Sequence, residues 1–205
     1  MIAFEEIKPI YDRIFSEING YGVSLQEKQQ KIKQKYIKDL IYGEIPFELL
    51  YALFVFEPIK DIMNSGKVFY DIGSGIGNAV VGSYLIGNFK KCIGIEILDS
   101  LYNLSKVVED RVKSIYPRPD CEMQFKHGNM LDFDIADGDV ILFCCPNKDD
   151  EIRSEMEKKF LTLKSNSIII SLIHSFANKI DFSLITTRMV KSTWGETPMM
   201  IYRRN

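Results

Sequence analysis

The sequence predicts an α/β fold, with a mostly parallel sheet closed by an antiparallel C-terminal hairpin and preceded by a helical N-terminal region. Three observations carry that expectation. From Lys67 onward, short apolar runs alternate with longer segments of helical periodicity. The first run ends in a glycine-rich turn leading straight into a helix, VFYDIGSGIGN over Val68–Asn78. The last two runs, Ser183–Val190 and Pro198–Tyr202, have no helix between them, which makes them an antiparallel pair at a sheet edge.

The helical region spans residues 1–66 and the sheet domain 67–205. Phe4–Ile18 places Ile7, Ile10, Tyr11, Ile14, Phe15 and Ile18 on one face, and Asn19-Gly20 stops it. Ser24 with Glu27 three residues later reads as a capping box opening a helix to about Ile41. Ile32, Tyr36 and Leu40 form that helix's buried stripe, and Lys28, Lys31, Lys35 and Lys38 line another face. Gly43 ends it, Pro46 suits the next first turn, and an apolar helix bent at Pro58 runs through Met63.

The sheet domain then reads as strand 68–72, helix 76–87, strand 91–96, helix 99–115 and strand 121–126. An Asp-rich loop, strand 139–145, helix 148–162 and strand 166–173 follow. Such alternation builds a parallel sheet with helices on both faces. With the closing hairpin, this is the Rossmann-like class I methyltransferase architecture.

Composition narrows the function. The 26 basic residues nearly balance the 28 acidic ones, for a net charge of −2, which argues against a strongly basic nucleic-acid binder. No apolar run reaches the roughly 18 residues that span a bilayer, and MIAFEEIKPI lacks the basic start and apolar core of a signal peptide. The four cysteines, Cys92, Cys121, Cys144 and Cys145, form no Cys-x-x-Cys pair. Neither a metal site nor a disulfide framework is expected, and reduced thiols fit a cytosolic or nuclear protein.

The glycine turn selects the ligand. Gly73, Gly75 and Gly77 follow a Gly-x-Gly-x-Gly spacing, so the third glycine comes one position too early for the dinucleotide pattern. Asp71 stands two residues before the first glycine, where a carboxylate repels a pyrophosphate but favours the ammonium and sulfonium charges of S-adenosylmethionine (SAM). Ser74 belongs to the same cofactor-binding turn, and Asn78 closes the stretch. Glu96 ends the next strand nineteen residues after Gly77, the position of an acid that accepts from a ribose diol. Asn129 and Met130, after the third strand, suit the adenine amino group and ring.

Tyr42-Gly43-Glu44 sits about 25 residues before the glycine turn. Leu40–Glu48, Val68–Asn78, Gly94-Ile95-Glu96, Gly128-Asn129-Met130-Leu131 and Ser192-Thr193-Trp194-Gly195 together resemble the non-SET histone lysine methyltransferases, the "disruptor of telomeric silencing" family. The resemblance runs from about residue 40 to the C-terminus. It implies a SAM-dependent enzyme, yielding S-adenosylhomocysteine (SAH), that modifies a globular-core lysine of histone H3 in nucleosomes, and hence a nuclear, chromatin-regulating protein. It places Tyr42, Gly43 and Glu44 on a loop over the methionine end of SAM, with Asp71 and Asn78 alongside. Glu96 takes the ribose, Asn129 and Met130 the adenine, and Tyr42 and Trp194 wall the lysine channel.

Three departures stand out against that family. Its members usually carry an acid and an aromatic where this chain has Asn129 and Met130. They have an asparagine pair where this chain reads Cys144-Cys145-Pro146-Asn147, which makes Cys145 and Asn147 the candidates beside the methyl site. The basic tail that anchors some relatives to DNA is missing, and Lys28, Lys31, Lys35 and Lys38 are the candidates for such contact. The altered Cys144–Asn147 segment leaves two alternatives open: a non-histone protein or small amine as acceptor, or a non-catalytic SAM-binding scaffold.

Overall fold

The computed structural model describes residues 3–30, 42–56, 59–62, 66–144 and 150–205. Seven strands form one sheet: β1 (Lys67–Ile72), β2 (Phe89–Glu96), β3 (Glu122–His127), β4 (Val140–Cys144), β5 (Ile168–Leu172), β6 (Phe182–Ser192) and β7 (Gly195–Arg204). Their order is β3-β2-β1-β4-β5-β7-β6. The first five run parallel, and β7 pairs antiparallel with both β5 and β6. The parallel sheet closed by a hairpin is as the sequence predicts. The hairpin strands are longer than expected, because the polar stretches Lys191-Ser192 and Gly195-Glu196-Thr197 still pair across a two-residue tip.

Three helices flank the parallel strands: α5 (Asn78–Ile86), α6 (Asp99–Ile115) and α7 (Asp150–Phe160). Before them come α1 (Phe4–Phe15), α2 (Gly20–Gln30), α3 (Phe47–Val55) and a single turn, α4 (Ile59–Ile62). The apolar stripe of α1 puts Ile7, Tyr11 and Ile14 into one cluster with Phe47 and Leu50 of α3, Val80 and Leu85 of α5, and Phe69 and Phe89 of the sheet. The opposite sheet face packs Tyr70, Ile141 and Phe143 against Met156 and Phe160 of α7. Each face therefore buries its own core.

Two expectations for the helical region are corrected. Ser24 is not an N-cap. Helix α2 begins four residues earlier, at Gly20, where the Asn19 side chain accepts from the Gly22 N–H at 2.9 Å. Ser24 lies inside the helix, fully buried, and Glu27 bonds elsewhere. The one helix expected through Met63 is two, since α3 stops at Phe56, whose extended backbone breaks the ladder. The positions of Ile32, Tyr36, Leu40, Lys31, Lys35, Lys38, Pro58 and Met63 lie outside the described residues.

Candidate functional site

Strand order reverses beside β1, whose neighbours are β2 and β4, and open α/β sheets bind ligands in the crevice at such a point. A cavity of about 290 Å³ opens there, over the carboxyl ends of these strands. Tyr42, Gly43, Glu44, Asp71, Gly73, Ser74, Gly75, Asn78, Glu96, Asn129, Met130 and Trp194 all line it. Gly77 does not. It caps α5 in a left-handed conformation (φ 96°) and faces the Phe125 ring. Cys145 and Asn147 lie outside the described residues, while their neighbour Cys144 reaches the cavity wall.

The glycine turn is stitched to the end of β2. Gly73 and Ser74 N–H groups donate to the Ile95 carbonyl at 2.9 and 3.0 Å, and Gly77 N–H closes onto Ser74 O at 2.8 Å. Gly75 has φ 55°, and a Cβ there would stand 2.8 Å from the Tyr42 ring. Tyr42 thus lies across the turn, and its hydroxyl donates to Glu44 Oε1 at 2.5 Å. Burial, with Glu44 beside it, raises the Tyr42 pKa and keeps the phenol protonated.

The loop of residues 42–44 is fastened from the far end of the chain. Glu44 N–H donates to Thr193 Oγ1 at 2.8 Å, and Thr193 N–H donates to Glu44 O at 3.3 Å. The Trp194 ring lies flush on Gly43, leaving no room for a Cβ. The two-residue tip of the β6–β7 hairpin therefore clasps the loop and turns the indole to the cavity.

Two carboxylates sit at its floor. Burial, then the proximity of Glu96, pushes Asp71 up to about 8. Burial also raises Glu96, against the lowering effect of three backbone donors: Gly75, Ile97 and Leu98, each 2.8 Å away. Asn78 Nδ2 donates to the Tyr11 hydroxyl at 3.1 Å, tying α1 to the site. Asn129 Oδ1 accepts from Leu131 N–H at 3.0 Å, so the amide turns its N–H donors to the remaining space.

Neither histidine lines the cavity. His127 stacks on Tyr102 and meets Asp99 at 3.0 Å, while buried His174 faces an Arg153 guanidinium N–H with Nδ1 at 3.0 Å. Several wall residues had no motif to announce them, including Leu98, Leu101, Glu151, Ile152 and Glu155. Helical periodicity marks Leu98 and Leu101 as apolar, but it does not say which pocket they face. Among the described residues no group of three metal-ligating side chains occurs, and no helix is long and apolar enough to cross a membrane.

The sheet order, the glycine turn at β1 and the closing hairpin define the class I methyltransferase fold. Solved structures agree on that fold. An RNA methyltransferase from Salinibacter ruber, in complex with SAH, matches with a TM-score of 0.53 at 15% identity, covering 77% of this chain and 91% of its own. An O-methyltransferase from Bacillus cereus, also with SAH, matches with a TM-score of 0.57 at 10% identity, covering 99% and 100%. Residues 21–194 match the family described as "Histone methylation protein DOT1", and the chain belongs to that family. A relative from Kluyveromyces lactis, the histone-lysine N-methyltransferase specific for H3 lysine-79, is 30% identical over 168 residues. The match covers 74% of this chain, which spans about 28% of that relative's length.

Proposed function

We propose that the chain is a SAM-dependent protein lysine methyltransferase acting on a globular-core lysine of histone H3 in nucleosomes. The observation that carries the reading is one cavity shared by the acid-flanked glycine turn, the Tyr42–Glu44 loop and Trp194. Membership of the histone methylation family supports the acceptor and a nuclear location.

The residues present fit a cationic adenosyl ligand. The positive-φ glycine turn lets a ligand approach its backbone closely, and Asp71 offers a counter-charge for an ammonium or sulfonium group. The Ser74 hydroxyl and Trp194 indole N–H, buried at the wall, have no hydrogen-bond partner, a deficit that a bound ligand and a small shift would relieve. Glu96 holds the ribose and Met130 packs on the adenine. Asn129, with its oxygen already engaged, offers an N–H to a ring nitrogen rather than accepting from the exocyclic amine.

Bound SAM supplies an electrophilic methyl group on sulfur. The protein positions the acceptor amine and excludes water from it. Tyr42 and Trp194 give that end an aromatic wall, and desolvation lowers the pKa of a lysine amine entering it, favouring the neutral nucleophile. Tyr42, held protonated, orients and encloses but takes no proton. Cys144 supports a second reading, a non-histone acceptor, because a thiol is a poor acceptor for an amine N–H.

Transfer of label from radiolabelled SAM to nucleosomes, free histones and cell lysate tests the proposal. Label on nucleosomal H3 is expected. Label only elsewhere moves the assignment to the second reading, and tight SAM binding without transfer makes the chain a scaffold. Nucleosomal DNA contact through Lys28, Lys31, Lys35 and Lys38 belongs to the same proposal. Replacing all four with Glu is expected to abolish retention on DNA with SAM affinity intact, and unchanged retention removes the idea.

A further inference from the structure

Helix α6 begins three residues after Glu96, at Asp99, and its start is capped in an unusual way. Its N-cap residue, Leu98, has no side chain able to satisfy the exposed amides. Two carboxylates from elsewhere do so. Glu96 Oε1 accepts from the N–H groups of Ile97 and Leu98, both at 2.8 Å. Glu27, on α2 and 72 residues away in sequence from Asp99, accepts from the next two: Asp99 N–H at 3.1 Å and Ser100 N–H at 2.8 Å. The Ser100 hydroxyl donates to it as well. Glu27 is only 6% exposed, although it comes from the helical region rather than the sheet domain.

We propose that Glu27 is a positioning residue for the ribose of the cofactor. It fixes the first turn of α6. The two amides that orient Glu96 from one side, those of Ile97 and the N-cap Leu98, lead directly into that turn, while Gly75 N–H holds the other carboxylate oxygen at 2.8 Å. The geometry of the diol-accepting carboxylate thus depends on a side chain donated by α2. The inference rests on the reading of Glu96 as the ribose ligand.

Two ligands test it on the full chain: SAH, and an SAH analogue whose ribose lacks both hydroxyls. Glu27→Gln is expected to weaken SAH about tenfold, the worth of one misplaced charge-assisted bond, and to leave analogue binding unchanged. A purely structural role would lower the melting temperature and move both affinities together, or neither, and either result overturns the proposal. If Glu27→Gln does not fold, Ser100→Ala removes one donor and keeps the carboxylate. It is expected to weaken SAH about threefold with the analogue unaffected, and unchanged SAH affinity overturns the proposal. Wild-type protein that binds no SAH would instead remove the SAM reading on which the inference rests.

Discussion

The cavity has two ends built in different ways. At the proposed cofactor end, Asp71, the glycine turn and Glu96 come from β1, β2 and the loops directly following them, locked by short backbone bonds between neighbouring strands. At the proposed acceptor end, the 42–44 loop meets the hairpin tip through Glu44 and Thr193, which are 149 residues apart. The first end is built on one supersecondary unit and braced by Glu27 of α2, and the second exists only when the whole chain has closed. Substitutions at the cofactor end should therefore act on ligand affinity, and those at the acceptor end on turnover.

The largest effect should come from Glu96→Ala. It removes the proposed ribose contacts, each charge-assisted bond worth about 1.5–3 kcal/mol, and it strands three backbone N–H groups. SAH affinity measured by calorimetry is expected to fall by at least about a hundredfold. Wild-type affinity would remove the ribose assignment.

Trp194→Ala sharpens the contrast. Loss of the ring from Gly43 and the cavity wall should cost about 2 kcal/mol in kcat/KM for the acceptor, close to thirtyfold, with a much smaller change in SAH affinity. Equal losses in both would merge the two ends into one.

Asp71 gives the cofactor end a pH signature. Its carboxyl ordinarily titrates near 3.8 but near 8 in the folded chain, so the folded state holds a proton that the unfolded state has released. Its contribution to stability is full below about 4 and is lost as pH rises to 8. A ligand cation favours the ionised form, so SAM affinity should increase between pH 6 and 8, by at most about tenfold per unit. Calorimetry across that range checks it, and Asp71→Asn should bind weakly with that dependence flattened.

The smallest effect is a gain. Asn129→Asp keeps one oxygen for Leu131 N–H and frees a second to accept from the adenine amine. SAH affinity should improve by about 1 kcal/mol, roughly fivefold. No gain would place the adenine elsewhere along the cavity.

This division also explains what was legible in the sequence. The strand alternation, the glycine turn and the spacing to Glu96 are local or periodic, and the structure places them where the pattern put them. The local capping rule fails at Glu27 because Ser24-x-x-Glu27 satisfies it by spacing alone, while the true cap, Asn19, has the sequence character of a helix end. The true partners of Glu27, the amides of α6, are visible only once α2 packs on that helix. The Trp194–Gly43 contact has the same character. Resemblance pointed to both residues, but no spacing rule joins them.

Equilibrium titration of the free protein with SAH and, separately, with NAD tests the central claim most directly. A carboxylate-flanked glycine turn shaped for a cationic methyl donor should bind SAH one-to-one, release it to excess SAM and ignore the dinucleotide. Saturable NAD binding at this cavity, with no response to SAH, would contradict the account.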